Sequence, residues 1–231
     1  MFYKDNPITG ADGEPVRKVL RYVNMPHGNI PIGQDSSVET NAKTICKFIQ
    51  DFKGSEKIIL YGTSKGGSDI KKSIELCGNE KYFSNVKAWL NVAGLLKGTE
   101  LVTNNTDTLR KRLFLRFLTF LYGYSYQGLY DIRKSEDSTL SFELKIPNNF
   151  YVLNIIGVPL STHISLRAFP NYLQLKPYGP NDGLTLLPDA IIPEGDILPL
   201  WGNDHYFIRF KKASSLLAIL IWTMEEANKL K

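Results

Sequence analysis

Short apolar runs and segments with helical periodicity alternate along most of the chain. In the helical segments an apolar residue recurs every three or four positions, whereas the apolar runs are short and bounded by turn residues. The predicted strands are 16–23, 57–61, 86–93, 150–156 and 197–201. This alternation predicts an α/β fold with a mostly parallel sheet and helices on both of its faces.

Three predicted helices have recognisable boundaries. The first begins at a capping box of Ser36 and Glu39, in which each side chain can bond a backbone amide of the first turn. The second follows residue 64 and ends near Gly78, since glycine is a common helix C-cap. The third is the closing helix, over 211–230. The apolar face of the first helix comprises Val38, Ala42, Ile45, Ile49 and Phe52.

The second strand and its helix are joined by the sequence Gly62-Thr63-Ser64-Lys65-Gly66. A Gly-x-Ser-x-Gly turn between a strand and a helix is typical of a nucleophile elbow, which lifts a serine hydroxyl above the sheet. We expect Ser64 to adopt a strained backbone with positive φ, and Gly62 and Gly66 to allow the strand and helix to approach closely. The alternative is a glycine-rich turn without chemistry, because so short a motif also recurs by chance.

A serine nucleophile needs a neighbouring base, and the chain has three histidines. His205 lies on a loop after the last predicted strand and fits the order in which the base follows the nucleophile and the acid. His27 precedes the serine, and His163 lies in an irregular stretch. Those two histidines are expected to be hydrogen-bonded or solvated side chains.

An imidazole base in turn needs a carboxylate that fixes its tautomer. Asp182 is favoured, because it lies on a turn between the 150–156 strand and His205. Asp204 adjoins His205, and neighbouring side chains usually point apart. Asp189 and Asp196 flank proline-rich connections and are expected to be solvated turn residues.

From about Val16 onward the chain resembles α/β-hydrolases of the lipase and esterase kind. The resemblance rests on the strand and helix before Ser64, the elbow itself, the segment Asn91 to Leu101, and the sequence Asn181-Asp-Gly-Leu followed by Asn203-Asp-His. It implies an α/β-hydrolase fold with Ser64 as nucleophile, Asp182 as acid and His205 as base. It also implies that the backbone N–H of Lys65 stabilises the oxyanion, while the Lys65 side chain is expected to be solvated.

The resemblance is incomplete at the N-terminus. The family's second oxyanion donor follows a strand that should precede 16–23, and residues 1–15 contain no such strand. The sheet is therefore expected to lack its first strands, and the second donor is unknown. Losing one oxyanion donor costs roughly 3 to 4 kcal/mol of transition-state stabilisation. Weak catalysis or a binding-only role would follow from that deficit.

Two insertions interrupt the alternation, over 99–147 and 160–181. The first contains an apolar and basic helix over 109–122, which is interpreted as a cap or lid over an apolar acyl chain. A further interpretation is that this helix makes peripheral contact with a membrane. The alternative is an ordinary cap helix packed on the core. The apolar positions assigned to one side of this helix are Leu113, Phe114, Phe117, Leu118 and Leu121.

Composition narrows the class of protein. A length of 231 residues suits a single α/β domain over 1–231, and a net charge of +5 is too small to indicate a nucleic-acid partner. Cys46 and Cys77 have no CxxC spacing, so buried free thiols are expected rather than a disulfide or a zinc site. Residues 1–6 do not resemble a signal peptide, and no apolar run is long enough to span a membrane, so a cytoplasmic location is expected.

These observations predict a serine hydrolase that cleaves a carboxylic ester of a small molecule or lipid through a Ser64, His205 and Asp182 triad. No metal or organic cofactor is expected, and the oligomeric state is left open. The alternatives are a non-catalytic binding protein with the same fold, and a thioesterase or acyltransferase that uses the same triad.

Overall fold

The computed structural model describes residues 12–208, 210 and 213–230. Four parallel strands form one sheet in the order β1-β2-β3-β4. The register places Gly62 of the first strand opposite Asn91, and Asn91 opposite Asn154. These strands correspond to four predicted ones within two residues at each end. Their bounds are β1 Ile58–Thr63, β2 Val86–Val92, β3 Tyr151–Val158 and β4 Asp196–Trp201.

Helices cover both faces of the sheet, as predicted. Side chains alternate between the faces, so Trp89 of β2 packs with the helices over 38–51 and 65–77, while its neighbours Ala88 and Leu90 pack with the helices over 14–22 and 213–229. Within the described part of the chain, short 3-10 turns lie at Lys81–Asn85, Ser161–His163, Lys176–Tyr178 and Leu187–Ala190. The α-helices are α1 Glu14–Tyr22, α2 Val38–Asp51, α3 Lys65–Cys77, α4 Glu100–Asn104, α5 Leu109–Leu121, α6 Tyr126–Tyr130, α7 Phe169–Leu175 and α8 Ala213–Lys229.

The strand predicted over 16–23 is wrong, because this segment belongs to α1. Pro15 lies in the first turn of the helix, where its missing N–H costs nothing. Val16 and Val19 are buried and Leu20 is partly buried, and Val16 and Leu20 belong to the cluster that covers one face of the sheet. Their spacing of three and four residues places them on one side of a helix.

The first long helix begins one residue later than predicted. Ser37, and not Ser36, is the N-cap of α2, and its hydroxyl accepts a hydrogen bond from the Thr40 amide at 3.1 Å. The apolar face is otherwise as predicted, with Val38, Ala42, Ile45 and Ile49 buried. Phe52 lies just beyond the helix and is partly exposed.

The expectation of free thiols is also wrong. Cys46 of α2 and Cys77 of α3 form a disulfide, with their Cα atoms 6.1 Å apart. The two helices pack side by side against β1, which brings residues separated by 31 positions within bridging distance. CxxC spacing is characteristic of metal and redox motifs, so its absence does not exclude a disulfide between two packed helices.

Residues 99–147 lie between β2 and β3 and contain α4, α5 and α6. Within the described ranges, no helix is both long and apolar enough to cross a bilayer. The segment tested for a signal peptide, residues 1–6, and the first two residues of the predicted closing helix lie outside the described residues.

Candidate active site

Ser64 occupies a sharp turn between β1 and α3. Its backbone angles are φ 52° and ψ −123°, a region that non-glycine residues rarely adopt. The turn is held by three backbone hydrogen bonds: Ser64 donates to the Val92 carbonyl at 3.0 Å, and its own carbonyl accepts from Gly67 at 3.0 Å and from Leu95 at 3.2 Å. The surrounding structure therefore fixes the unusual conformation and places Ser64 at the carboxyl end of β1.

The glycines of the elbow differ in their roles. A Cβ atom at Gly62 would lie 2.6 Å from Ile70 and 2.9 Å from the Gly66 carbonyl, so only glycine fits there. A Cβ at Gly66 would meet no heavy atom within 4 Å, which contradicts the expectation that Gly66 is needed for close approach. Gly67 has that role instead, since a Cβ there would lie 2.8 Å from both Asn91 and Gly94.

Lys65 contributes the first backbone N–H of α3, and the first four amides of a helix have no partner within it. Its side chain contradicts the expectation of a solvated lysine. The ammonium group is buried and lies 2.8 Å from the carboxylate of Asp69, one turn further along the helix. The other carboxylate oxygen accepts a hydrogen bond from the Asn41 amide at 2.9 Å.

This buried pair connects the elbow to the loop before α2. Asn41 also bonds the backbone N–H and carbonyl of Gly33, at 3.0 and 2.9 Å. Burial raises the pKa of Asp69 to about 6, and the nearby ammonium of Lys65 opposes that rise. Asp69 is thus ionised and paired at neutral pH, and the network anchors the start of α3.

Asp182 and His205 are in direct contact. The Nδ1 atom of His205 lies 2.7 Å from one carboxylate oxygen of Asp182, and both side chains are buried. The other oxygen of Asp182 accepts from the amides of Leu184 and Thr185, each at 2.9 Å. A backbone bond from the His205 amide to the Asp182 carbonyl, at 2.9 Å, joins the two loops. Because Nδ1 faces the carboxylate, Nε2 is the ring nitrogen left for other chemistry.

The competing carboxylates are engaged elsewhere. Asp204 accepts from the amides of Ser165 at 2.8 Å and Tyr206 at 3.0 Å, so it shapes the loop around His205. Asp189 is buried and pairs with Lys134 at 2.6 Å, which contradicts the expectation of a solvated turn residue. Asp196 is exposed, as expected, and accepts from the Tyr151 hydroxyl at 2.9 Å.

The other two histidines lie away from Ser64. His27 is exposed, and its ring bonds the Met25 carbonyl at 3.0 Å. His163 lines a separate cavity of about 220 Å³ beside Asn203 and Asp204. Its Nδ1 atom is buried without a hydrogen-bond partner among the described residues. His205 is therefore the histidine that shares a cavity with Ser64.

That shared cavity has a volume of about 450 Å³. Its walls are mostly apolar, whereas Ser64 and His205 bring polar groups into it. Arg167 also lines it, with its guanidinium 5.2 Å from the centre of the Tyr206 ring. Other lining residues come from every part of the fold and include Val16, Tyr61, Leu90, Val92, Leu95, Leu101, Val102, Leu115, Leu129, Ile132, Ile155, Leu184, Phe207, Leu216, Ile219 and Leu220.

Sequence reasoning missed the buried polar groups behind the site. Lys71 is buried on α3, and its ammonium donates to the carbonyls of Leu96, Leu140 and Phe142 at 2.8 to 2.9 Å. Burial lowers the pKa of Lys71 to about 8. The sequence indicates the burial of Lys71 only through its place next to Ile70 and near Ile74, on a helix that packs on the sheet. Among the described residues, no group of three or more His, Cys, Asp and Glu side chains is placed to hold a metal ion.

Comparison with known proteins gives a partial likeness of sequence and several likenesses of fold. No protein-family model matches the sequence. A G8 domain-containing protein of Dictyostelium discoideum is 31% identical over 137 residues, which cover 53% of this chain and 10% of that protein. A metagenomic carboxyl esterase superposes with a TM-score of 0.67 at 20% identity, covering 82% of this chain and 57% of the esterase. The mature lipase BlEst2 of Bacillus licheniformis superposes with a TM-score of 0.58 at 15% identity, covering 82% and 75%.

These superpositions show a common architecture. The chain spans little more than half the length of the metagenomic esterase and a tenth of the Dictyostelium protein. At such identities a likeness shows the fold alone. The chain has the α/β-hydrolase fold, as the resemblance implied.

Proposed function

We propose that this α/β-hydrolase-fold chain is a serine hydrolase that cleaves a carboxylic ester with an apolar acyl group. One observation carries the proposal: Ser64, on its strained elbow, and His205, bonded to Asp182, line the same apolar cavity. Strained backbone at a nucleophilic side chain is a feature of functional sites. A glycine-rich turn without chemistry would not need a buried acid–histidine pair beside it.

In the proposed reaction, His205 acts as the base. Asp182 holds Nδ1–H, so Nε2 accepts the proton of the Ser64 hydroxyl as its oxygen attacks the ester carbonyl. The resulting oxyanion accepts a hydrogen bond from the Lys65 amide. The imidazolium then returns its proton to the leaving alcohol, which leaves an acyl group on Ser64. Water, activated by the same histidine, releases the acid and restores the serine.

The cavity supports an apolar acyl group as the bound part of the substrate. Leucine, isoleucine and valine side chains dominate its lining, and its volume of about 450 Å³ suits a small molecule or acyl chain. We further propose that residues 99–147 act as a cap, because Leu101, Val102, Leu115, Leu129 and Ile132 of this segment all line the cavity.

The proposal is tested by labelling with a fluorophosphonate and mapping the modified residue. The wild type should react at Ser64 and hydrolyse p-nitrophenyl esters, because among the described serines only Ser64 lines the same cavity as His205. Ser64→Ala should lose both reactions while keeping its melting temperature within a few degrees. Ser161→Ala, which alters an exposed serine elsewhere, should retain both. Absence of labelling and of ester hydrolysis in folded wild-type protein would favour the binding-only alternative.

A further inference from the structure

Helix α5 presents most of its apolar side chains to solvent. Thr119 is the only residue of this helix that is buried. A surface helix of a globular protein normally turns its apolar stripe toward the core. Six apolar residues of α5 are each more than half exposed, Phe120 by 78%: Leu109, Leu113, Phe114, Phe117, Phe120 and Leu121.

These six side chains, called here the α5 apolar surface, lie on one side of the helix. At 3.6 residues per turn they fall within an arc of about 140°. The arc that faces the rest of the molecule carries Leu115 and Leu118, which are half-buried, and Thr119. The apolar side of α5 therefore faces away from the protein core, opposite to the orientation usual for a surface helix. Among the described residues, nothing covers the α5 apolar surface.

The helix is also strongly basic. No acidic residue occurs between Asp107 and Asp131, whereas four cations lie in the first eight positions of α5. Lys111 pairs with Asp107 at 3.0 Å, and the Arg116 guanidinium lies 5.5 Å from the centre of the Tyr126 ring. Arg110 projects within the apolar arc and has no acidic partner in the described part of the chain.

We propose that the α5 apolar surface binds the surface of an anionic lipid membrane, with the helix lying in the plane of the interface. Leucine and phenylalanine side chains would enter the acyl boundary, while the arginine and lysine side chains meet the lipid phosphates. A second copy of the chain is the less suitable occupant. A two-fold contact would bring the same cationic patch together from both sides without an acid to neutralise it. Leu115, on the opposite side of the same helix, lines the cavity of Ser64, so α5 would lie between the membrane and the site.

The proposal is tested by sedimenting the protein with lipid vesicles, a measurement that does not depend on catalysis. Wild type should bind vesicles of phosphatidylcholine mixed equally with phosphatidylglycerol, and bind phosphatidylcholine alone less tightly. Phe117→Ser with Phe120→Ser should reduce the partition coefficient about tenfold or more, because two large apolar side chains no longer enter the lipid. Arg110→Gln should reduce it about fivefold on the anionic vesicles only. Tyr22→Ser, which removes an exposed ring on α1, should bind as wild type does.

Three results would overturn the proposal: no binding of wild type to either vesicle, equal binding by the Phe117 and Phe120 double variant, or a concentration-dependent dimer in gel filtration that only this variant abolishes. The last result would assign the surface to a second copy of the chain. Ser64→Ala should bind vesicles as wild type does. Membrane binding and ester hydrolysis can therefore fail independently.

Discussion

Asp182 uses both of its carboxylate oxygens for defined partners. Two backbone amides hold one oxygen, and His205 contacts the other. This arrangement leaves the carboxylate little freedom to rotate away from the ring. Asp204 is also buried and hydrogen-bonded, but its partners are backbone amides of its own loop and of Ser165. Asp182 and Asp204 thus have separate tasks, the first directed at the imidazole and the second at the loop that carries it.

Replacing each acid by its amide should separate these tasks. Asp182→Asn should lower kcat for ester hydrolysis by up to about four orders of magnitude, because an amide no longer holds the required tautomer of His205. Asp204→Asn should lower kcat much less, since neither of its two backbone hydrogen bonds involves the imidazole and the amide oxygen can still accept one of them. Steady-state kinetics with a p-nitrophenyl ester measures both effects, and circular dichroism verifies folding. A larger loss at Asp204 than at Asp182 would show that the acid is wrongly assigned.

Chain order and the resemblance to α/β-hydrolases selected Ser64, Asp182 and His205; the structure brings Asp182 and His205 into contact and places Ser64 and His205 in one cavity. Each follows a predicted strand, and the carboxyl ends of parallel strands lie along one edge of a sheet. The environment of Lys65 was not accessible in this way. Its burial depends on Asp69 and Asn41, and the latter lies on a different helix. A lone lysine in a sequence is ordinarily solvated, and only packing reveals its partner.

At the scale of elements, α2 and α3 are joined more firmly than two packed helices need to be. The Asn41–Asp69 hydrogen bond and the Cys46–Cys77 disulfide both cross between them. Lys71 of α3 in turn donates to the carbonyl of Leu96, just before the inserted segment, and to that of Leu140, within it. The helix that begins at Ser64 is thus fixed to the preceding helix and to the base of the insertion.

Reducing the disulfide should destabilise the whole domain. A bridge that closes a loop of about 31 residues stabilises by roughly 3 to 4 kcal/mol through the unfolded chain, which corresponds to a loss of roughly 10 °C in melting temperature. Thermal unfolding with and without reductant measures this loss. The Cys46→Ala and Cys77→Ala double variant is the control, because reductant should not affect it. Two alkylatable thiols in the unreduced, denatured protein would show that the bridge does not form.

The α1 segment shows why a strand was wrongly predicted over 16–23 from the local hydrophobic pattern. Val16, Val19 and Leu20 fit loose alternation and helical spacing almost equally in so short a run. The helix forms because its apolar side packs against the sheet and α8, and Pro15 is placed where helices accept it. Longer runs such as β2 and β3 carry enough buried residues to be recognised from sequence alone.

At the scale of the whole molecule, the parallel sheet can be predicted from the sequence, whereas the cavity cannot. The parallel sheet follows from alternating strands and helices, since each helix carries the chain back to the end of the sheet at which the strands begin. The cavity is built from residues as distant as Val16, Leu115 and Ile219. No local pattern relates such positions, because their meeting depends on how α1, α5 and α8 pack around the ends of the strands.

The backbone of Ser64 has a consequence for the evolution of the chain. A non-glycine residue at φ 52° and ψ −123° carries roughly 1 to 3 kcal/mol of strain. Glycine would relieve it, at a cost of about 0.4 to 1 kcal/mol from its freer unfolded state. Ser64→Gly should therefore melt at a higher temperature than Ser64→Ala, and a lower one would argue that the turn is unstrained. Selection for folding alone would favour glycine here, so the serine represents stability given up for its hydroxyl.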